Sequence, residues 1–280
     1  SIACSVLFIV GIQKLKTGAK QGFSRSISGT DLIVGSRSGD MQLLMTTVFR
    51  VGTPMANMSW NSFEGIQALP QVQWAVPVSS GDGYKGYPVL ATLPTYFKHI
   101  NVGRKQSLTF QIGRAFGGGY ELVLGQNVAR ALGLKLSDTL QISHGRFDQS
   151  SRVHDNHSFE VVGILNTTHS PIDNTVFISL EASSAVHSPH QHSAHGMPKS
   201  ITGAFIGLTS KTAIFLVQQR IANWPNESLM AILPGVTLSK LWRSLSPLDA
   251  AFMVVGIGVG FMAGIGLLLG LFMSLRERST

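Results

Sequence analysis

A single cysteine, Cys4, stands in the 280 residues, so no disulfide can close within the chain and cysteine usage is silent about redox compartment. Charge is scarce as well. Asp, Glu, Lys and Arg together make up 13%, about half the ~25% usual for soluble chains. Acids are the rarer sign: 14 Asp and Glu face 22 Lys and Arg, giving a net charge of +8 and a pI of ≈ 9.9. Those acids are scattered, and no carboxylate pair stands out for general acid–base work. A phosphate-binding P-loop needs a Gly-Lys pair, which never occurs; Thr209-Ser-Lys-Thr212 keeps only the tail of that pattern. The nucleophile elbow G-x-S-x-G fails at Gly35-Ser-Arg-Ser-Gly39, where Arg37 takes the nucleophile's place. H-E-x-x-H is absent too. Basic residues are not interleaved with aromatics, which argues against a nucleic-acid surface. The sequence reads as non-enzymatic, without nucleic acid as a partner.

Apolar residues are plentiful, at 44%, with a mean hydropathy of +0.22. They collect at the two ends. Residues 250–273 carry no charge and no proline, about 36 Å of helix at 1.5 Å per residue and enough to cross a ~30 Å hydrocarbon core. Asp249 precedes the run, Arg276-Glu277-Arg278 closes it, and Pro247 is expected at the helix entrance. We therefore expect a transmembrane helix over residues 247–275, with 276–280 opening a cytoplasmic segment. Ile2–Ile12 is apolar but short, and basic residues follow it rather than precede it. It reads as the C-terminal part of a first membrane helix, residues 1–12. Lys14, Lys16, Lys20, Lys240 and Arg243 flank the two runs, where cations meet lipid headgroups. Lysines follow the first run and arginines the second, so charge alone does not choose an orientation.

The second run has a ladder of glycines. Gly256, Gly260 and Gly264 recur every four residues, and Gly266 and Gly270 repeat the spacing. Small residues on one face let helices approach closely in lipid, so these five form a candidate packing face for other helices. The same stretch holds a formal G-x-G-x-x-A at Gly258–Ala263, but no strand precedes it and no polar loop opens there, which excludes a dinucleotide site.

The middle, residues 13–246, reads as a globular α+β domain. Short strands are expected at Asp31–Gly35, Val72–Val78, Tyr87–Thr92, Glu121–Gly125, Thr139–Ile142, Phe159–Leu165, Val176–Leu180 and Ala204–Leu208. Helices are expected at Gln13–Lys20, Met41–Phe49, Ser62–Leu69, Gln126–Leu132, stopped by Gly133, and Thr212–Ile221. Ser80-Gly-Asp-Gly83 reads as a turn between two strands. Thr237–Leu245 is expected to lead directly into the membrane helix.

Histidine is unevenly placed: eight of the 9 lie between His144 and His195. His144, His154 and His157 form one group, with Asp148 and Asp155 nearby, and His187, His190, His192 and His195 form another. Neutral imidazole suits Zn and other transition metals, and turn-rich loops can wrap several ligands around one ion. The competing readings are a solvated polar loop and a pH sensor.

The order of three segments carries a family resemblance. They are Asp31-Leu-Ile-Val-Gly35, then Val123-Leu-Gly125-x-x-Val128-Ala129-x-x-Leu132-Gly133-Leu134-x-x-x-Asp138, then Phe159-x-Val-Val-Gly163-Ile-Leu. Together, with Arg276-Glu277-Arg278 after the second apolar run, they resemble the MacB/FtsX-like ABC transporter permeases. The resemblance implies a two-subdomain extracytoplasmic domain inserted between two transmembrane helices, the inserted subdomain near residues 113–198. It further implies a permease subunit of a bacterial inner-membrane transporter that works as a dimer and couples mechanically to a separate ATPase subunit. Membrane lipid and a periplasmic partner complete the expected contacts. Two other roles fit the residues: a membrane-anchored metal-binding or sensing domain, and an FtsX-like regulator of an extracytoplasmic hydrolase.

Overall fold

Successive residues of a strand point to opposite faces of a sheet, and in β1 (Leu32–Ser36) both sets are buried: Leu32, Ile33 and Val34 are all inaccessible to water. Such a strand needs a covering layer on each side. A computed structural model of the protein shows those layers; it describes residues 29–103, 106–144, 158–187 and 196–277, with Gly11, Lys14 and Gly18. The chain divides into two compact units, Gly22–Leu238 and the pair Ser1–Gln21 with Ser239–Thr280.

In the first unit, α1 (Asp40–Leu44) follows β1 and runs on as a π-helix, Met45–Phe49. β2 (Met58–Ser59) opens α2 (Trp60–Gln67), and β3 (Val72–Tyr84) pairs with β4 (Tyr87–Thr92). α3 (Tyr96–His99) precedes the short pair β5 (Asn101–Val102) and β6 (Gln106–Ser107). Next come β7 (Phe110–Gly113), β8 (Glu121–Leu124), α4 (Gln126–Leu132), β9 (Thr139–Leu140), β10 (Ser143–His144) and β11 (Phe159–Leu165). β12 (Val176–Ser179), α5 (Leu180–His187), β13 (Ser200–Ile201), β14 (Gly203–Leu208), α6 (Ile214–Ala222) and β15 (Leu229–Ile232) complete it. α7 (Pro234–Glu277) is a single helix of 44 residues.

Among the described residues, one sheet of 11 strands runs in the order β15-β1-β14-β3-β4-β12-β8-β11-β7, with β10 against β3 and β9 against β11. β12 is parallel to β4, and β11 is parallel to β8 across a connection that contains α4; the other pairs are antiparallel. This mixed sheet with helices is the expected α+β class. Residues 32–92 and 203–232 build one end, and residues 110–179 the other.

The two faces have different covers. Leu32, Val34, Leu122, Leu124, Val176 and Ile178 face one way, in one core with Phe63 and Ile66 of α2, Val128 of α4 and Val217 of α6. Ile33, Leu90, Phe177 and Phe205 alternate with them and point the other way. There α1 and the π-helix lie over them with α3, whose Tyr96 ring packs 5.4 Å from Phe177 and 6.2 Å from Phe205. Burying one such ring contributes roughly 2–3 kcal/mol. Close strand approach at the β7–β11 edge demands glycine. A Cβ on Gly163 would lie 2.2 Å from the Arg114 carbonyl oxygen, and Gly113 holds φ +80° beside it.

Some expectations shift. Ser80–Gly83 is no turn: β3 continues through it with a register shift, because β4 pairs along one side and β10 pairs at Asp82 and Gly83 on the other. The turn falls at Lys85-Gly86, both at positive φ. Pro247 lies inside α7 rather than at its start, where it cannot donate the i→i−4 bond. The strand at Thr139–Ile142 shortens to β9, and the helix at Ser62–Leu69 starts earlier because the Ser59 hydroxyl accepts the Ser62 N–H as an N-cap. Gly133 stops α4 in the left-handed conformation, φ 66°, as its position suggested.

Candidate functional site

Two members of the histidine groups lie on described elements. His144 closes β10 and pairs in register with Asp82, while His187 closes α5. His154, His157, His190, His192 and His195 lie outside the described residues, and so do Asp148 and Asp155. Among the described residues no three His, Cys, Asp or Glu side chains stand together as a metal site. His99 has a packing role. It stacks on Trp74 at 4.9 Å, and burial, aided by neighbouring Lys98, lowers its pKa from the usual imidazole value. That stack explains Gly207, since a Cβ there would strike Trp74 Nε1 at 2.0 Å.

The glycine ladder lies on α7. Gly256 is buried, Gly260 and Gly264 are half-buried, and Gly266 and Gly270 are exposed. A Cβ on Gly260, Gly264, Gly266 or Gly270 would meet nothing within 4 Å. Among the described residues no helix is long and apolar enough to cross a membrane. The uncharged run 250–273 lies within α7, and the side chains of Ala250, Phe252, Met253, Leu267 and residues 271–273 in that run lie outside the described residues. The first apolar run, residues 1–12, lies outside them too, apart from Gly11.

Two polar constellations, one buried and one half-buried, escaped the sequence reading. On the α3 side of the sheet, Arg50 is only 4% exposed. Its Nη2 donates to the Tyr96 hydroxyl at 2.8 Å, and its Cζ lies 5.5 Å from the Phe177 ring centre. Phe97 and Phe116 extend the aromatic surround, at 5.6 Å from Phe177 and 5.4 Å from Phe97 respectively. Burial raises the Tyr96 pKa, against the opposing pull of the Arg50 charge and its hydrogen bond. A lone arginine directly after the apolar stretch Met41–Phe49 was the available signal.

On the opposite side, Glu227 binds the start of α2. Its Oε1 accepts the Ser59 N–H at 2.8 Å and its Oε2 the Ser59 hydroxyl at 2.7 Å, and the Ser62 hydroxyl also donates to Oε2. Trp224 Nε1 donates to Ser62 Oγ at 3.1 Å. Burial would raise the Glu227 pKa, but the Ser62 and Ser59 donors outweigh it and the net shift is downward. With serines and an indole around it, this carboxylate ties the 224–227 turn to a helix start. Partners 168 residues apart leave no sequence pattern.

The fold and these polar groups define a mixed-sheet α+β domain, buried on both faces, that leads into a long C-terminal helix. The chain belongs to the family of the MacB-like periplasmic core domain, whose family model matches residues 1–224. Its structure is similar to the crystal structure of the periplasmic region of MacB from Actinobacillus actinomycetemcomitans, with a TM-score of 0.50 and 12% identity over 79% of this chain and 98% of that one. The extracellular domain of the noncanonic ABC-type transporter YknZ from Gram-positive bacteria matches with a TM-score of 0.43 and 12% identity, over 72% of this chain and 98% of that one. At such identity the MacB likeness speaks for the fold. Comparison with curated proteins gives no match.

Proposed function

We propose that this chain is the permease subunit of an ABC transporter, with its MacB-like domain outside the cytoplasm of a bacterial inner membrane and two flanking membrane helices. The observation that carries this reading is the surface of α7: Val254, Phe261 and Met262 are 70%, 70% and 73% exposed within an uncharged run. Soluble domains do not leave such a stripe to water, whereas lipid and neighbouring helices cover it at no cost. Residues 1–12 supply the end of the first membrane helix and residues 247–275 the second. Residues 113–198 form the inserted subdomain. Nothing on the chain resembles an ATP site, so hydrolysis falls to a separate ATPase subunit whose motion passes mechanically through the helices, and a second permease copy completes a dimer.

The test is co-purification of two differently tagged full-length copies from detergent-solubilised membranes, with ATP hydrolysis measured in the eluate. Joint recovery with vanadate-sensitive hydrolysis is expected. A lone, nucleotide-inert copy in the eluate overturns the reading.

One observation favours a second reading, in which the histidine segments hold a transition metal. The β10 register pairs His144 with Asp82, so the first histidine group starts opposite an acidic residue in the sheet. Zn would bind at roughly micromolar strength, since ordering loops costs free energy. Binding should fade as pH falls through about 6.5, where imidazole protonates. Calorimetry that finds no heat at neutral pH, or heat unchanged when His187, His190, His192 and His195 become alanine, removes this reading.

A further inference from the structure

Three unfavourable features meet in one short segment. Met45–Phe49 is π-helical, a form that appears mostly as single turns and often at functional sites. Its C-cap, Arg50, takes a left-handed backbone at φ 55°, which is costly for a residue with a Cβ. The same Arg50 buries a full charge. Its Nε and Nη1 are inaccessible and lack a hydrogen-bond partner, and among the described residues no carboxylate lies within ion-pair distance of it. The Phe177 ring and the Tyr96 hydroxyl compensate that charge only in part.

The segment's described hydrogen bonds run mostly within itself and to α1; the exceptions are the Ser80 hydroxyl, which donates to the Thr46 carbonyl at 3.5 Å, and Arg50 on Tyr96. The backbone N–H groups of Arg50 and Val51 both fall on the Met45 carbonyl. The Thr46 and Thr47 hydroxyls turn back to the carbonyls of Gln42 and Leu43, a local alternative that bends helices. The loop beyond is exposed, with Val51 at 53% and Met55 at 79%, and Gln42 Nε2 ties it back at the Thr53 carbonyl, 3.0 Å away. Beneath it, β14 is laddered on both sides, to β1 and to β3.

We propose that residues 45–57 form a latch that opens as a unit, carrying Arg50 into water while the sheet stays folded. Opening relieves the π turn, the left-handed arginine and the unpaired guanidinium together. The cost that keeps the latch shut is exposure of Val48, Phe49 and the rings of Tyr96 and Phe177, all buried in the closed state. The open state thus joins an aromatic surface and a free guanidinium to the already exposed Val51 and Met55.

Hydrogen exchange by mass spectrometry on the full-length chain in nanodiscs tests the latch. In the wild type, amides of residues 45–51 should exchange at least about a hundredfold faster than those of Gly203–Leu208, with little dependence on low urea, the mark of a local opening. The double variant Arg50→Met with Tyr96→Phe removes the buried charge together with the hydroxyl it would orphan. It should slow exchange in 45–51 by about tenfold and leave β14 no faster. Exchange of 45–51 at the β14 rate with the β14 urea dependence overturns the proposal, as does faster exchange of 45–51 in the double variant. Should that variant fail to fold, the wild-type urea dependence decides.

Discussion

The sheet domain and α7 use the same kinds of residue in opposite ways. Phe177, Leu122 and Ile206 are sealed inside the domain, whereas Phe261, Val255 and Ile257 of α7 stand in the open. In the domain, the chain itself removes apolar surface from water, with one helical layer on each face of the sheet. On α7 none of the described residues does so for those side chains, and the cover proposed for them is lipid or a neighbouring helix. Hydrophobicity alone therefore does not separate a buried core from an exposed helix surface here. Alternation does: strand residues find a face each, while the 250–273 run has no polar face at all.

The largest effect that could break this contrast comes from charge on α7. Phe261→Arg with Met262→Arg should cost about 2.5–3.5 kcal/mol for each residue at the centre of a spanning helix, enough to abolish membrane integration. Maleimide accessibility of Ser279→Cys in intact spheroplasts reads the result, since a helix that no longer inserts leaves position 279 outside; a double variant in which 279 stays protected refutes the proposed span. Next is the domain core: Phe177→Ala should cost about 3–5 kcal/mol, seen as a lower unfolding midpoint with membrane integration unchanged. Smaller again is Gly163→Ala, whose methyl would meet the Arg114 carbonyl oxygen. A strained shift of the β7 edge should cost about 1–3 kcal/mol.

The gentlest test concerns the α2 cap. Ser59→Ala removes an N-cap and should cost about 1 kcal/mol. Because the Glu227 pKa is depressed in the folded state, its contribution is present above the ordinary carboxylate range near pH 4.3 and is lost as pH falls through the folded value. Acid titration of stability should therefore be shallower in Glu227→Gln than in the wild type. Equal slopes would show that the cluster does not hold a charged carboxylate.

Local chemistry explains which elements could be read from sequence. β1, β8 and β11 are short apolar runs bounded by polar residues or glycine, and α4 carries its own stop at Gly133. Ser80–Gly83 misled because Gly and Asp signal a turn locally, while the register with β4 and β10 is a long-range fact. β15, α3 and α5 were missed because each is four to eight residues long and no periodicity builds up over such lengths. Neither polar constellation was legible. Arg50 becomes a buried cation only when α3 and β12 close over it, and Glu227 meets Ser59 only after β15 and α2 have been placed. The histidine groups were conspicuous in sequence, yet five of their seven members lie outside the described residues. The family resemblance read from three ordered segments matched the family model over residues 1–224.

Topology is where the contrast between domain and helix meets function most directly. Asn223→Cys in the domain and Ser279→Cys beyond α7, each in a Cys4→Ser background, can be probed in spheroplasts with a membrane-impermeant maleimide. If α7 crosses the membrane with the domain outside, position 223 is labelled at once and position 279 only after permeabilisation. Labelling of both without permeabilisation, or of 279 alone, would contradict it.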